Sequence, residues 1–144
     1  MSLVFLVGVD CSDCSDRALD YAAERASASD GQLVVVHVIE WSPFSFSTPQ
    51  ENEERHRRRE EELQRAHDEI VGPIVDRLKK KGIDAKGMVR HGHTSETLMG
   101  IAKEIEATNI VIGRTGKSRF KAQLFGSVAS ALVQIADRPV TVVP

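Results

Sequence analysis

Apolar residues along this chain fall into two alternating kinds of pattern. Leu3-Val4-Phe5-Leu6-Val7 is a continuous apolar run rich in β-branched and aromatic residues, and Leu33-Val34-Val35-Val36-His37-Val38-Ile39 is a second. Asn109-Ile110-Val111-Ile112-Gly113 and Val140-Thr141-Val142-Val143 are shorter, and a weaker run extends from Ala85 to Arg90 before Gly92. Unbroken runs of this kind are expected of strands covered on both faces. Between them the period becomes helical. Leu19, Ala22, Ala23 and Ala26 follow i, i+3, i+4, i+7 spacing, after Ser12 and Asp13 as N-cap choices and before Gly31 as a stop. Leu98, Ile101, Ala102 and Ile105 repeat it after Thr94 and Ser95, and Val128, Ala131, Leu132 and Ile135 repeat it again before Pro139. The polar stretch from Gln50 to Lys81 reads as one long helix or two joined at Gly72-Pro73, because proline removes a hydrogen bond and breaks or kinks a helix. Buried strands alternating with helices predict a doubly wound α/β fold, Rossmann-like, with a five-stranded parallel sheet covered on both faces. No internal repeat, linker or low-complexity tract divides the chain, so residues 1–144 are expected to form one domain.

Composition narrows the classes of function. Hydrophobic residues at 41% and charged residues at 28% are ordinary globular proportions, which excludes wholesale disorder or a fibrous repeat. Nineteen Lys+Arg against 21 Asp+Glu give a formal charge of -2, which argues against a generally basic nucleic-acid binder. Two cysteines cannot supply a disulfide framework. The apolar run from Leu3 to Val9 has no basic residue before it, ends at Asp10, and is too short to span a bilayer. The expectation is a cytoplasmic protein without membrane insertion.

Two segments carry candidate chemistry, and both lie where a strand ends. In Gly8-Val9-Asp10-Cys11-Ser12 the carboxylate can accept hydrogen bonds from a ligand amine or ribose hydroxyl, or serve the helix end instead. The second segment is Gly113-Arg114-Thr115-Gly116, then nine residues, then Gly126-Ser127. Glycine at Gly113 and Gly116 lets backbone approach a ligand where a Cβ would obstruct it. Gly126-Ser127 opens the last helix, whose first N–H groups lack internal partners and offer a phosphate site. Arg114, Lys117, Arg119 and Lys121 give the intervening loop a basic balance suited to an anion. The competing account is an ordinary strand-to-helix loop with glycines for turns. Trp41 to Pro49 is an irregular segment at another carboxyl end, the side on which open α/β sheets bind ligands.

These residues resemble the universal stress proteins, and specifically their nucleotide-binding branch. The signature Gly-x-x-Gly-(nine residues)-Gly-Ser is matched at Gly113, Gly116, Gly126 and Ser127, within IVIGRTGKSRFKAQLFGSVASALV and before RPVTVV. VGVDCSDCSDRALDYA is similar to the family's first strand, loop and helix, and VRHGHTSETLMGIAKE to its third strand and helix. The segment Trp41 to Arg65 aligns poorly. The resemblance implies strand order 3-2-1-4-5, with Asp10 and Gly113 on either side of the switch between strands 1 and 4. It implies an adenine nucleotide (ATP, ADP or AMP) as ligand, with any Mg or Mn ion held mainly by the phosphates and water. By the same resemblance Asp10 would bond the adenine or ribose end, with Gly8 and Val9 lining the pocket and Val38 meeting adenine through its main chain. Ile112 and Gly113 would lie beside the ribose, and Gly116 would admit the phosphates. Gly126, Ser127 and Val128 would bind them through N–H groups and the Ser hydroxyl. Cys11 departs from the family pattern, since many relatives have Gly-Ser after the aspartate.

Other signals compete. Cys11-Ser12-Asp13-Cys14 is a C-x-x-C at a helix start, which would support a thiol oxidoreductase, but the Trp-Cys-Gly-Pro-Cys context is missing. Arg90-His91-Gly92-His93 reads as polar turn histidines near the mouth of the cleft, since further metal ligands are not identified. The arginines of Glu51 to Glu62 are flanked by glutamates at i, i+3 and i+4, which favours pairing on a solvated helix. The cleft offers no evident general base and the loop has no Walker-type Gly-Lys-Ser/Thr, so no catalytic residue is assigned. The reading is a stress-response sensor or regulator, slow ATP hydrolysis remaining compatible with it. The alternative is a protein-interaction module of the same fold without nucleotide. The last strand, charge-free and β-branched, is expected at a sheet edge, where two copies could pair as a homodimer. The resemblance points the same way, since many universal stress proteins dimerise through this strand.

Overall fold

The unbroken apolar runs become the strands of one parallel sheet. A computed structural model describes residues 2–40, 48–116 and 125–144. Residues 41–47 of the Trp41–Pro49 segment, and Lys117, Arg119 and Lys121, lie outside the described residues. In chain order the elements are β1 (Val4–Gly8), α1 (Asp13–Ser29), β2 (Gln32–Glu40), α2 (Pro49–Ala66), a π-helical turn (His67–Val71), α3 (Gly72–Lys80), β3 (Asp84–Gly92), α4 (Thr94–Glu104), β4 (Asn109–Gly113), α5 (Ser127–Ile135) and β5 (Val140–Val143). Strand order is β3-β2-β1-β4-β5, and every pairing is parallel. The order reverses between β1 and β4, so the crevice at their carboxyl ends is the natural ligand position.

Strand alternation divides the core into two layers. Phe5, Val7, Leu33 and Val35 face α1 and the α2–α3 segment, packing with Leu19, Ala22, Val71 and Leu78. Leu6, Val34, Val36, Ile110 and Ile112 face α4 and α5, packing with Leu98, Ala102 and Leu132. With helices on both sides, neither face of the central strands can be polar, which is why the runs are continuous rather than alternating.

The segment from Gln50 to Lys81 forms two α-helices, the second starting at Gly72-Pro73 as one of the two expected forms has it, with a π-helical turn between them. Its start at Pro49 carries a capping box, with Thr48 and Glu51 bonding each other's backbone N–H groups. At Gly72-Pro73 the helix passes through a widened turn, in which Gly72 N–H donates to the His67 carbonyl. Pro73 has no N–H, and the five-residue spacing accommodates its ring without ending the helix.

Three local expectations shift. Helix α1 ends with Asp30, not Gly31, in the left-handed region (φ 53), while Gly31 N–H closes onto the Ala26 carbonyl at 2.8 Å. The N-cap of α4 is His93, so Thr94 is already helical and its hydroxyl is used elsewhere. In α5 the buried positions are Ala129 and Leu132, leaving Val133 52% and Ile135 47% exposed. That helix packs against α4 and the sheet near its edge, so the apolar stripe is split between core and surface.

Candidate functional site

The turn from β1 into α1 is built by short polar side chains bonding the backbone. Asp10 Oδ1 accepts from the Ser12 N–H at 3.0 Å and from the Ser12 hydroxyl, while Asp10 N–H donates to Ser15 Oγ at 3.0 Å. Ser12 in turn caps α1 by accepting from Ser15 N–H at 3.1 Å. His37, on the neighbouring strand, donates Nδ1–H to the Val9 carbonyl at 2.7 Å. Because a carbonyl only accepts, that bond fixes the protonated ring nitrogen. Cys11 pays for the tight turn with φ 66, a region that favours glycine. This gives the physical meaning of the Cys11 departure.

The loop after β4 is organised by close backbone contact. A Cβ on Gly113 would lie 2.8 Å from the Cys14 backbone carbon, so this glycine lets β4 pack against the first turn of α1. This packing between elements is a role of Gly113 additional to the ligand approach expected from the sequence. A Cβ on Gly116 would lie 2.8 Å from Asp10 Oδ2, so the two loops meet at that point. Arg114 N–H donates to the Val143 carbonyl at 2.7 Å, and Gly126 N–H donates to the Arg114 carbonyl at 2.8 Å. The Gly126 N–H expected to serve a phosphate is therefore committed to closing the loop. Gly126 is the N-cap of α5 and supplies no side-chain cap, which leaves the first-turn N–H groups of Ser127, Val128 and Ala129 as the donors of this end. Among the described residues, α1 has a side-chain cap and α5 has none.

The two loops enclose a cleft of about 380 Å³, within the usual range for small-molecule sites. Gly8, Val9 and Asp10 line one wall, and Ile112, Gly113 and Gly116 another. Gly126, Ser127 and Val128 close the α5 end, and Val38 lies on the β2 side. All ten residues singled out in the sequence thus border one space. Val36 accepts from Val9 N–H at 2.9 Å, so its carbonyl faces β1. Strand alternation turns the main-chain groups of Val38 the same way, beyond the end of β1. Arg114 also lines the cleft, where the sequence had marked only its charge.

Sequence reasoning missed Ser15, Glu40, Thr94 and Thr115 in the lining. The Thr94 hydroxyl donates to Glu40 Oε1, joining the end of β2 to the start of α4. Residues so far apart in sequence show no local spacing that would pair them.

The cysteines are not a matched pair. Cys11 is exposed and Cys14 is buried, and of the two residues between them Ser12 is extended (φ -86, ψ 162) while Asp13 opens the helix. An extended residue lengthens the span, whereas a disulfide needs Cα atoms roughly 4.4–6.8 Å apart. Cys14 Sγ instead lies 3.1 Å from Thr115 Oγ1 and 3.1 Å from an Arg17 nitrogen. The Thr115 hydroxyl and the Arg17 charge hold the thiol below its ordinary pKa despite burial. The histidines also separate: His91 is half-buried beneath α2, 3.2 Å from the Arg59 carbonyl, and His93 Nδ1 lies 3.3 Å from Ser95 Oγ. Neither lines the cleft itself, although Thr94, the residue after His93, does. On α2, Arg58 pairs with Glu54 at 3.0 Å at the i, i+4 spacing.

A model of the universal stress protein family matches residues 1–144. The chain belongs to that family. This universal stress protein is 32% identical over 160 residues to one from Mycobacterium tuberculosis, covering 99% of this chain and 48% of the relative. It therefore spans about half the length of the mycobacterial relatives it matches. A Bacillus subtilis universal stress protein is 28% identical, with 96% of each chain covered. The fold is shared with a universal stress protein from Lactobacillus plantarum (TM-score 0.81, 24% identity, covering 99% of this chain and 97% of that one). A solved universal stress protein in complex with cAMP matches at TM-score 0.64 and 26% identity, covering 99% of this chain and 96% of that one. Among the described residues, no helix is long and apolar enough to cross a membrane.

Proposed function

We propose that residues 1–144 form one nucleotide-binding domain that takes an adenine nucleotide (ATP, ADP or AMP) in this cleft and acts as a cytoplasmic stress-response sensor or regulator. The observation that carries this reading is the placement of an uncapped helix end and a fixed carboxylate in one cleft. The N–H groups of Ser127 and Val128, the Ser127 hydroxyl and the Arg114 charge suit phosphate. Asp10, acceptor-only when ionised, suits a ribose hydroxyl or ring amine, and the outward main chain of Val38 suits the edge of the base. Gly126 gives room rather than a donor. A Mg or Mn ion would be held mainly by phosphate oxygens and water. The cAMP-bound relative supports an adenylate as ligand. Equilibrium dialysis with ATP and AMP tests the reading, together with the nucleotide content of the purified protein after denaturation. Saturable binding of either nucleotide is expected. Absence of binding to folded protein would favour the interaction module.

We also propose a homodimer joined through β5. Pro139 and Val143 turn their carbonyls to β4, accepting from Ile110 and Arg114, so alternation turns the N–H and C=O groups of Val140 and Val142 outward. The four residues of β5 are half-buried and uncharged, an edge without the usual guards against pairing. Sedimentation at micromolar concentration should give a species near twice 15.9 kDa. Val142→Pro removes an outward donor and should shift it toward monomer; a wild-type monomer would refute the assembly.

A further inference from the structure

We infer that Glu40 selects the base in this cleft, accepting a 6-aminopurine and rejecting its 6-oxo counterpart. The inference rests on the nucleotide reading above and adds a residue to it. Val36, Val38 and Glu40 are alternate residues of β2 and all line the cleft, so Glu40 continues the wall that Val38 begins, about 6.6 Å further along the strand. Its carboxylate is not loose there: the Thr94 hydroxyl, on the first turn of α4, donates to Oε1. A hydroxyl has one proton to give. Thr94 therefore orients the carboxylate without supplying a donor to the ligand, and Oε2 remains an acceptor with no partner among the described residues.

Charge along the cleft fixes which end of a nucleotide can lie there. Arg114 and the uncapped start of α5 stand beside β4, two strand spacings from β2, roughly 9.6 Å. A phosphate is attracted to that end and repelled by Glu40, so the base is directed to the β2 side. At that side the cleft presents the main chain of Val38 and an acceptor-only carboxylate. A 6-amino group carries two protons and can serve both the Val38 carbonyl and Glu40. A 6-oxo group at the same position sets acceptor against acceptor, both at the Val38 carbonyl and at Glu40 Oε2.

Titration calorimetry with AMP and IMP on wild type, Glu40→Gln and Thr94→Val tests the assignment, with thermal unfolding as the check on fold. Wild type should prefer AMP by about tenfold or more, equivalent to about 1.4 kcal/mol. Glu40→Gln should bring the ratio to within about threefold, because an amide can turn its N–H toward the 6-oxo group. Thr94→Val, which frees the carboxylate to rotate, should fall between the two. A folded Glu40→Gln variant that keeps the wild-type ratio overturns the role of Glu40 alone. Wild-type protein that binds neither nucleotide overturns the nucleotide reading itself.

Discussion

The β1–α1 and β4–α5 loops sit side by side at the switch in strand order, yet they are built by opposite means. The first is held by side chains, with Asp10, Ser12 and Ser15 bonding one another and the backbone until the start of α1 is capped. The described part of the second is held mainly by close backbone contact. Gly113 admits the first turn of α1, Gly116 admits Asp10, and Gly126 closes back on Arg114. The first loop spends its donors internally and presents a carboxylate. The second saves the donors of α5 and presents them beside Arg114. One cleft therefore has an accepting wall and a donating wall, the polarity a nucleoside phosphate requires. Capping, more than glycine content, distinguishes the proposed anion end.

The largest effect should come from filling the glycine between the two loops. Gly113→Val would drive a side chain into the Cys14 backbone, which cannot swing aside as a flexible side chain would. A loss of about 3 kcal/mol is expected, the upper part of the usual range for overpacking, read as a lower urea midpoint. An unchanged midpoint would show that the loops tolerate separation. Removing the accepting wall comes next. Asp10→Ala deletes the acceptor of the Ser12 N–H as well as the group proposed to meet the ligand. AMP affinity should fall about tenfold, or about 1.4 kcal/mol. Asp10→Asn, which retains one oxygen for the turn, separates the two contributions. If both variants bind as wild type does, the carboxylate does not face the nucleotide.

The fold was legible because strands buried on both faces leave continuous apolar runs, and these alternate with helical periods. The positions of Asp10, Gly113 and Ser127 at the carboxyl ends of β1 and β4 were legible for the same reason, helped by the glycine signature. The packing of Gly113 on the Cys14 backbone was not, because backbone packing has no residue signature. Nor was the Glu40–Thr94 bond, which needs β2 and α4 placed before it exists. At Gly72-Pro73 the junction was legible, since α3 starts there, but the π-helical turn that joins it to α2 was not, because one extra residue per turn leaves no sequence signature.

The donating wall should be less sensitive than the accepting one. Ser127→Ala removes a hydroxyl but leaves the N–H groups of Ser127 and Val128 in place. AMP affinity should fall about threefold, the effect of one hydrogen bond among several, or about 0.5–1 kcal/mol. Calorimetry at fixed salt measures it. A loss above about thirtyfold, or roughly 2 kcal/mol, would make the hydroxyl the principal phosphate donor and the helix end a minor one.

The smallest effect is expected at Cys11, where the first loop bears a conformation its residue does not favour. A non-glycine residue at φ 66 carries strain of about 1–2 kcal/mol, and glycine would relieve it. Glycine also loosens the unfolded chain, which offsets about 0.4–1 kcal/mol of that gain. Cys11→Gly should therefore leave stability unchanged or raise it by up to about 1 kcal/mol. The Asp10 and Ser12 bonds do not use the Cys11 side chain, so AMP affinity should stay within about twofold, under roughly 0.5 kcal/mol. The same variant removes the exposed thiol of the C-x-x-C and should have no influence on nucleotide binding under reducing or oxidising conditions. A fall in stability of more than about 1 kcal/mol would mean that the Cys11 side chain contributes packing that outweighs the strain, and that the first loop, like the second, depends on contacts between elements.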